Sequence, residues 1–243
     1  MTVEFLSVAD GRIAYQRQVG DARKPGVVFL SGYASDMTGT KACFMAETCA
    51  AQNIGFLRFD YRGCGLSSGA FADGTIGAWF ADTLAAIDAL TAGPQIVIGS
   101  SMGGWLALLL ARARPERMRA LIGVAAAPDF TEELVWNKLT AAQREMLMRD
   151  GKIQEDGAHA PMTWRLIEEG RDHLVLRSPL AVPCPVRLIQ GMGDTDVPWD
   201  YAPRIAQHIT QSDTRVTLIK NGDHRLSTPE DLELLKQTVA EFL

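Results

Sequence analysis

The sequence feature that most constrains the fold is the stretch Gly99-Ser100-Ser101-Met102-Gly103. A short apolar, β-branched run at 94–98 precedes it, and helix-forming residues follow it up to residue 114. This order predicts a buried strand that turns sharply into a helix. A Cβ on either flanking glycine would clash across such a turn. Although a glycine–serine turn can match by accident, the flanking strand and helix favour an exposed nucleophile at Ser101.

Apolar runs typical of buried strands alternate with amphipathic stretches typical of helices along most of the chain. The predicted strands cover 3–8, 12–19, 26–30, 54–60, 94–98, 120–125, 185–190 and 215–220. The predicted helices cover 38–52, 75–90, 104–114, 201–209 and 229–243. This alternation predicts the α/β class, with a mostly parallel eight-stranded sheet and helices on both faces.

The alternation stops between residues 128 and 178. This stretch has no strong strand pattern, contains two or three short helical pieces, and is rich in Met, Trp and Leu. A connection of this length is too long to be an ordinary loop. We therefore expect a small helical lid at 128–178, inserted into a core formed by 1–127 and 179–243.

Composition and charge exclude several functional classes. The net charge is −5 and no cluster of Lys and Arg is present, which argues against nucleic acid or an anionic membrane surface as partner. No apolar run is long enough for stable membrane insertion. The first residues already resemble a strand, and the four cysteines show no CxxC pair, so we expect reduced thiols and a cytoplasmic location. No metal-ligand spacing indicates a metal or a cofactor, and nothing indicates the oligomeric state.

A serine hydroxyl becomes a good nucleophile only when a base removes its proton and a third group orients that base. His224 is the candidate base because it lies in the loop that follows the last predicted strand. Its competitors are His159 and His173, in the expected lid, and His208, within a predicted helix. A surface histidine without a catalytic role is the alternative for each of the four.

The candidate acid is Asp194, in the loop after the predicted strand 185–190. Loops at the carboxyl edge of a parallel sheet are where ligands and catalytic groups collect. Asp196 shares this loop and is more simply interpreted as a solvated turn residue. Asp129 follows the preceding strand and remains a competitor, because an acid there could also reach the histidine.

Acyl transfer also requires two backbone N–H groups that stabilise the developing oxyanion. One donor is expected from Met102, directly after the nucleophile and at the start of its helix. The other is expected from Tyr33, in the loop after the strand 26–30, where Gly32 permits close approach.

The lid and the helix after the nucleophile contain large apolar side chains. These could line an acyl pocket, although core packing is the alternative for each one. The candidates are Trp105, Trp136, Met146 and Trp164. As a group they favour a hydrophobic acyl or aryl substrate over a sugar or a peptide.

Four motifs, at 60–68, 99–103, 191–198 and 222–224, together resemble the α/β-hydrolase superfamily over nearly the whole chain. The resemblance implies a cofactor-independent serine esterase or thioesterase with Ser101, Asp194 and His224 as its triad. It further implies a small-molecule or acylated substrate.

Further stretches are more narrowly similar to the family of mitochondrial palmitoyl-protein thioesterases that also hydrolyse mycophenolic acid acyl-glucuronide. They are 31–33, 39–42, 93–105, 120–125 and 223–225. The lid matches this family least well, so the substrate is not implied. Two alternatives stay open: another chemistry on this fold, such as aminopeptidase, carbon–carbon hydrolase or acyltransferase, and a binding protein that does not turn over its ligand.

Overall fold

The computed structural model of the chain describes residues 2–153, 160–210 and 213–243. The strands are β1 (Glu4–Val8), β2 (Gly11–Gln18), β3 (Gly26–Leu30), β4 (Phe56–Phe59), β5 (Gln95–Ser100), β6 (Met118–Val124), β7 (Lys152–Ile153), β8 (Met162–Thr163), β9 (Val186–Gly191) and β10 (Thr214–Ile219). The helices are α1 (Thr40–Ala51), α2 (Ile76–Leu90), α3 (Met102–Ala113), α4 (Ala141–Asp150), α5 (Trp164–Gly170), α6 (Tyr201–His208) and α7 (Pro229–Ala240).

Within the described ranges, eight strands form one sheet in the order β1-β2-β4-β3-β5-β6-β9-β10. β1 pairs antiparallel with β2, and β2 pairs antiparallel with β4, whereas the remaining pairs are parallel. The expected α/β architecture, with its mostly parallel eight-stranded sheet, is thus confirmed.

Two hydrophobic cores lie on opposite faces of this sheet. Alternate residues of the central strands point to each face: in β3, Val28 belongs to one core and Val27 to the other. Helices α2, α3 and α6 cover the first face, and α1 and α7 cover the second. Because both faces are covered, every residue of β5 and of β9 is buried.

Two element ends differ from the sequence prediction for local reasons. The strand β5 extends to Ser100 because the sheet continues beyond it: the N–H of Ser101 donates to the carbonyl of Val124 on β6 at 2.9 Å. The strand β4 begins only at Phe56, since the N–H of Ile54 still donates to the carbonyl of Cys49 at the end of α1.

The segment 128–178 contains short elements, among them a π-helical turn at Thr131–Val135, α4, α5 and the two-residue strands β7 and β8. The antiparallel pairing of β7 with β8 was not expected from the sequence. Local capping explains α4, because Thr140 and Gln143 form a reciprocal capping box at its start.

The close approach of α3 to the end of β3 leads to a first prediction. A Cβ on Gly103 would collide with the backbone carbonyl of Leu30. We therefore expect Gly103→Ala to lower the free energy of unfolding by at least about 1–3 kcal/mol, because the added Cβ meets backbone atoms rather than a flexible side chain. Chemical denaturation measures this difference.

Gly39→Ala is the matched control, because the nearest atom to its added Cβ lies 3.6 Å away, at ordinary contact distance. This control should lose about 1 kcal/mol or less. Equal losses in the two variants would contradict close packing at the elbow.

Candidate active site

Ser101 occupies the turn between β5 and α3 with strained backbone angles, φ 53° and ψ −119°. A non-glycine residue at positive φ persists only where its surroundings enforce it. Here the N–H of Ser101 donates to Val124, and the N–H of Ala127 donates to the carbonyl of Ser101 at 3.0 Å. The turn is thereby tied to β6, and the partly exposed hydroxyl lies at the carboxyl edge of the sheet.

The imidazole of His224 lies between Ser101 and Asp194. Its Nε2 is 3.1 Å from the Ser101 Oγ, and its Nδ1 is 2.8 Å from the Asp194 Oδ2. In the tautomer that carries the proton on Nδ1, the ring donates to the carboxylate and accepts from the serine hydroxyl. The three side chains form a continuous hydrogen-bonded series, along which the hydroxyl proton can pass to the imidazole while the carboxylate holds the ring.

The Asp194 side chain is fully buried, yet its carboxylate is well supplied with donors. Besides His224, it accepts from the Gln190 Nε2 at 2.9 Å and from the backbone N–H groups of Asp196 at 2.9 Å and Val197 at 2.8 Å. Burial alone would raise the pKa of Asp194, but the hydrogen bonds from His224 and these amides lower that pKa below its ordinary value. The carboxylate is therefore ionised and able to orient the imidazole.

The loops that carry Asp194 and His224 are packed directly against each other. The N–H of Gly193 donates to the carbonyl of Gly222 at 2.9 Å, and a Cβ on Gly191 would collide with that same carbonyl. Glycine at these positions thus brings the ends of β9 and β10 together.

The competing acids have other contacts. Both carboxylate oxygens of Asp129 accept backbone N–H groups, from Val175 at 2.8 Å and Leu176 at 2.9 Å, so this buried residue anchors the end of the segment 128–178. Asp196 is exposed, and its backbone N–H donates to Asp194. Of the three candidate acids, Asp194 is the one hydrogen-bonded to His224.

The competing histidines are also accounted for. His173 Nε2 is 2.9 Å from the Glu169 carboxylate, and His208 Nδ1 is 2.8 Å from the Arg204 carbonyl. His159 lies outside the described residues.

The two expected oxyanion donors lie at the same edge of the sheet. The loop after β3 approaches the nucleophile closely, because a Cβ on Gly32 would be only 3.3 Å from the Cβ of Ser101. In the described part of the chain, the N–H groups of Tyr33 and Met102 make no backbone hydrogen bond outside regular helices and strands. Tyr33 is also fixed by its side chain, whose hydroxyl donates to the Pro161 carbonyl at 2.7 Å.

Ser101 and His224 open into a cavity of about 510 Å³. Part of its wall is apolar and comes from the segment 128–178, namely Phe130, Leu134, Val135 and Met162. Charged side chains also line it, namely Lys41, Asp196 and Arg225. The cavity therefore combines the candidate nucleophile Ser101 with an apolar region and a polar region.

The acyl pocket expected from the sequence needs correction, because its four residues lie outside this lining. Trp105 is fully buried in the core, where its indole N–H donates to the His173 carbonyl at 2.9 Å. Trp136 and Trp164 pack against each other, with ring centroids 5.2 Å apart, beside a small separate core. Met146 is 46% exposed on α4. Large apolar side chains pack wherever a helix contacts another element. The amino-acid composition of the segment therefore did not identify which residues form the apolar wall of the cavity.

Gln190 also belongs to the site, although the sequence pattern did not predict it. It is fully buried, and its side-chain amide donates to Asp194 as well as to the Val197 carbonyl at 3.2 Å. A glutamine inside an otherwise apolar strand was the available signal, because buried polar groups require partners.

Among the residues described, one group has spacing suited to a metal ion: the ligand atoms of Asp194, Asp196 and His224 lie within 4.8 Å of one another. Both oxygens of Asp194 already accept hydrogen bonds, and both ring nitrogens of His224 are paired. The arrangement is that of an acid–base pair.

No helix in the described part of the chain is long and apolar enough to cross a bilayer.

Comparison with known proteins agrees with this geometry. The family model described as serine aminopeptidase, S33, matches residues 21–165. The chain is 38% identical over its full length to the mitochondrial palmitoyl-protein thioesterase ABHD10 of Bos taurus, covering 80% of that protein.

Two solved structures are similar over nearly the whole chain. The α/β-hydrolase domain-containing protein 10 from mouse aligns with a TM-score of 0.92 and 37% identity, covering 99% of this chain and 98% of that one. A putative hydrolase from Agrobacterium vitis aligns with a TM-score of 0.93 and 36% identity, covering 100% and 99%.

The expected cytoplasmic location is wrong, because the curated relatives that match the full chain are named as mitochondrial proteins. That expectation was based on strand-like first residues and unpaired cysteines. Neither property determines the compartment, which is specified by targeting signals rather than by the folded domain.

The lowered pKa of Asp194 leads to a second prediction. Because its folded-state pKa is depressed, ionised Asp194 stabilises the fold above the ordinary carboxyl pKa, and this stabilisation is lost as pH falls through the folded-state pKa. We expect Asp194→Asn to lower the free energy of unfolding by about 2 kcal/mol near neutral pH, and by clearly less near pH 3. Urea unfolding at the two pH values measures this.

The exposed Asp196→Asn removes the same charge from the same loop and is the control. A loss in Asp194→Asn that is independent of pH would contradict the depressed pKa.

Proposed function

The chain belongs to the serine aminopeptidase S33 family of α/β hydrolases and is a hydrolase of ester or thioester bonds; from this premise we propose that Ser101, His224 and Asp194 form its catalytic triad. The observation that supports this assignment is the unbroken hydrogen-bonded series from the Ser101 Oγ through both ring nitrogens of His224 to the Asp194 carboxylate. The series ends in a cavity at the carboxyl edge of the sheet, where substrate can enter.

In the proposed mechanism, the Ser101 oxygen attacks the acyl carbonyl carbon while its proton passes to the His224 Nε2. The tetrahedral intermediate then expels the alcohol or thiol, which takes that proton from the imidazolium and leaves an acyl-enzyme. Water next gives a proton to Nε2 and attacks the acyl carbon. The bond between this carbon and the serine oxygen then breaks, the imidazolium returns the proton to that oxygen, and the carboxylic acid is released. Asp194 stays ionised throughout and stabilises the imidazolium.

We assign the oxyanion hole to the backbone N–H groups of Tyr33 and Met102. Met102 is the first residue of α3, where helix amides lack partners and the helix dipole favours negative charge. The tether from Tyr33 to Pro161 would hold the second amide in place before substrate arrives, and such preorganisation is what makes an oxyanion hole effective.

The apolar wall supports an apolar acyl group as the part of the substrate that enters the cavity. Phe130, Leu134 and Val135 belong to the segment 128–178, which supports its proposed role as a lid over the core formed by 1–127 and 179–243. The ABHD10 relatives are named palmitoyl-protein thioesterases, and we propose that this chain likewise cleaves acyl thioesters.

Replacement of the nucleophile is the third prediction. Ser101→Ala should lower turnover of p-nitrophenyl esters by about 10³-fold or more, because it removes the oxygen that forms the proposed acyl-enzyme. The adjacent Ser100→Ala should keep activity within about threefold of the parent, since in the described part of the chain His224 is hydrogen-bonded to Ser101 and Asp194 and not to Ser100.

A fluorophosphonate probe separates an enzyme from a binding protein on this fold. The parent should gain one covalent adduct by intact mass, and Ser101→Ala should gain none. A parent protein that fails to react would contradict the proposed triad.

The position of the apolar wall gives the fourth prediction. Val135→Trp adds volume inside the cavity, so it should shift preference toward shorter acyl chains, with about a tenfold fall in the ratio of kcat/KM for long over short esters. A panel of p-nitrophenyl esters of increasing chain length measures the ratio.

Met146→Trp on exposed α4 is the matched control and should leave the ratio unchanged. Equal shifts in the two variants would place the acyl group elsewhere.

A further inference from the structure

Two cationic side chains line the active-site cavity on the side of His224. Arg225 follows His224 directly in the chain, and Lys41 projects from the first turn of α1. The Lys41 Nζ donates to the backbone carbonyl of Arg225, which joins the two residues across the cavity wall. The apolar wall at Phe130, Val135 and Met162 contains no such charge.

Neither cation is neutralised by an ion pair. In the ranges that the structure describes, no carboxylate lies within salt-bridge distance of Lys41 or Arg225. The nearby carboxylates of Asp223 and Asp231 attract Lys41 but accept other hydrogen bonds, from the backbone N–H groups of Leu226 and Thr228. Two cationic side chains without a salt bridge in the described ranges therefore line the active-site cavity, in a protein of net charge −5.

The mechanism determines which part of the substrate lies near these cations. His224 returns its proton to the departing oxygen or sulfur, so the leaving group must sit beside the imidazole. Arg225 is the next residue, and Lys41 is bonded to its carbonyl. The acyl group is expected on the other side, against the apolar wall.

We propose that Lys41 and Arg225 form an anion subsite for the leaving group, so that the preferred substrates are apolar acyl esters or thioesters whose leaving group carries a carboxylate or a phosphate. The inference rests on the proposed function, because His224 as general acid defines the leaving-group side. An ionised ligand group would receive hydrogen bonds from both cations, and such charge-assisted bonds are stronger than neutral ones.

Asp196 is the opposing charge in the cavity lining. Its carboxylate lies within 4.8 Å of ligand atoms of both Asp194 and His224, and it would repel an anionic leaving group. Removal of this charge should therefore strengthen the preference that removal of Lys41 or Arg225 weakens.

The protonation state of Lys41 supplies an independent readout. Burial lowers the pKa of Lys41 to about 8. The carboxylates of Asp223 and Asp231 act in the opposite direction and raise this pKa, whereas the positive charge of Arg225 lowers it by a smaller amount. Lys41 is a cation below that pKa and neutral above it. The preference for an anionic leaving group should therefore be present below pH 8 and decline above it.

The test uses three butanoyl thioesters with the full-length protein: those of 3-mercaptopropanoate, of its methyl ester, and of 2-mercaptoethyl phosphate. The quantity measured is the ratio of kcat/KM for each anionic thioester to that for the neutral methyl ester. Lys41→Met should lower this ratio about tenfold. Arg225→Gln should lower the ratio about threefold, because the Arg225 side chain is exposed and its charge is screened by salt. Asp196→Asn should raise the ratio.

Lys24→Met is the matched control. Lys24 also donates to a backbone carbonyl, that of Gln52 at 3.0 Å, but it lines a different cavity, at the amino end of the parallel strands. Its replacement removes one positive charge and should leave the ratio unchanged.

Ratios within about twofold of the parent in both Lys41→Met and Arg225→Gln, at a pH near 7, would overturn the anion subsite while leaving the triad intact. If Ser101→Ala instead cleaves each of the three thioesters as fast as the parent does, the proposed triad is wrong. The anion subsite, which rests on that triad, is then wrong as well. A larger ratio for the carboxylate or for the phosphate identifies the anion.

Discussion

The strained turn at Ser101 is the constraint on which the rest of the site depends. Its φ of 53° places a serine where few non-glycine residues are found, a conformation that costs on the order of 1–3 kcal/mol. That cost is offset by the burial of the two elements that the turn connects, β5 and α3. Every residue of β5 is buried, and so is α3 from Met102 to Ala111, so the elbow cannot relax without exposing the centre of the protein.

Backbone packing also positions the proposed acid and the proposed base. Asp194 and His224 lie on separate loops, and close contact between glycine backbones at the ends of β9 and β10 holds those loops together. Parallel strands place their carboxyl ends at one edge of the sheet, so residues separated by 123 positions, Ser101 and His224, meet there. The three groups of the proposed triad are thus positioned by backbone packing, and their side chains need only ordinary hydrogen bonds.

The cavity is chemically divided by the elements that enclose it. The segment 128–178 contributes apolar side chains such as Val135, whereas α1 and the His224 loop contribute Lys41 and Arg225. A substrate with one apolar end and one anionic end would be oriented by this division before any bond is made. Orientation of this kind is a large part of what an enzyme supplies.

The sequence by itself determined the alternation of strands and helices, the elbow at 99–103 and the positions of His224 and Asp194 after the last strands, since short-range patterns encode these features. Element ends were displaced where backbone hydrogen bonds from other elements intervened, as at Ser100 and Ile54.

Only the tertiary structure decided the lining of the cavity. Trp105 and Met146 are both apolar in the sequence, yet one lies in the core and the other is exposed. The contact between Lys41 and Arg225 joins residues 184 positions apart, and the partner of Gln190 depends on how a loop folds back over its strand. Local patterns predict the face of an element, whereas the neighbour that packs against that face is determined by the whole fold.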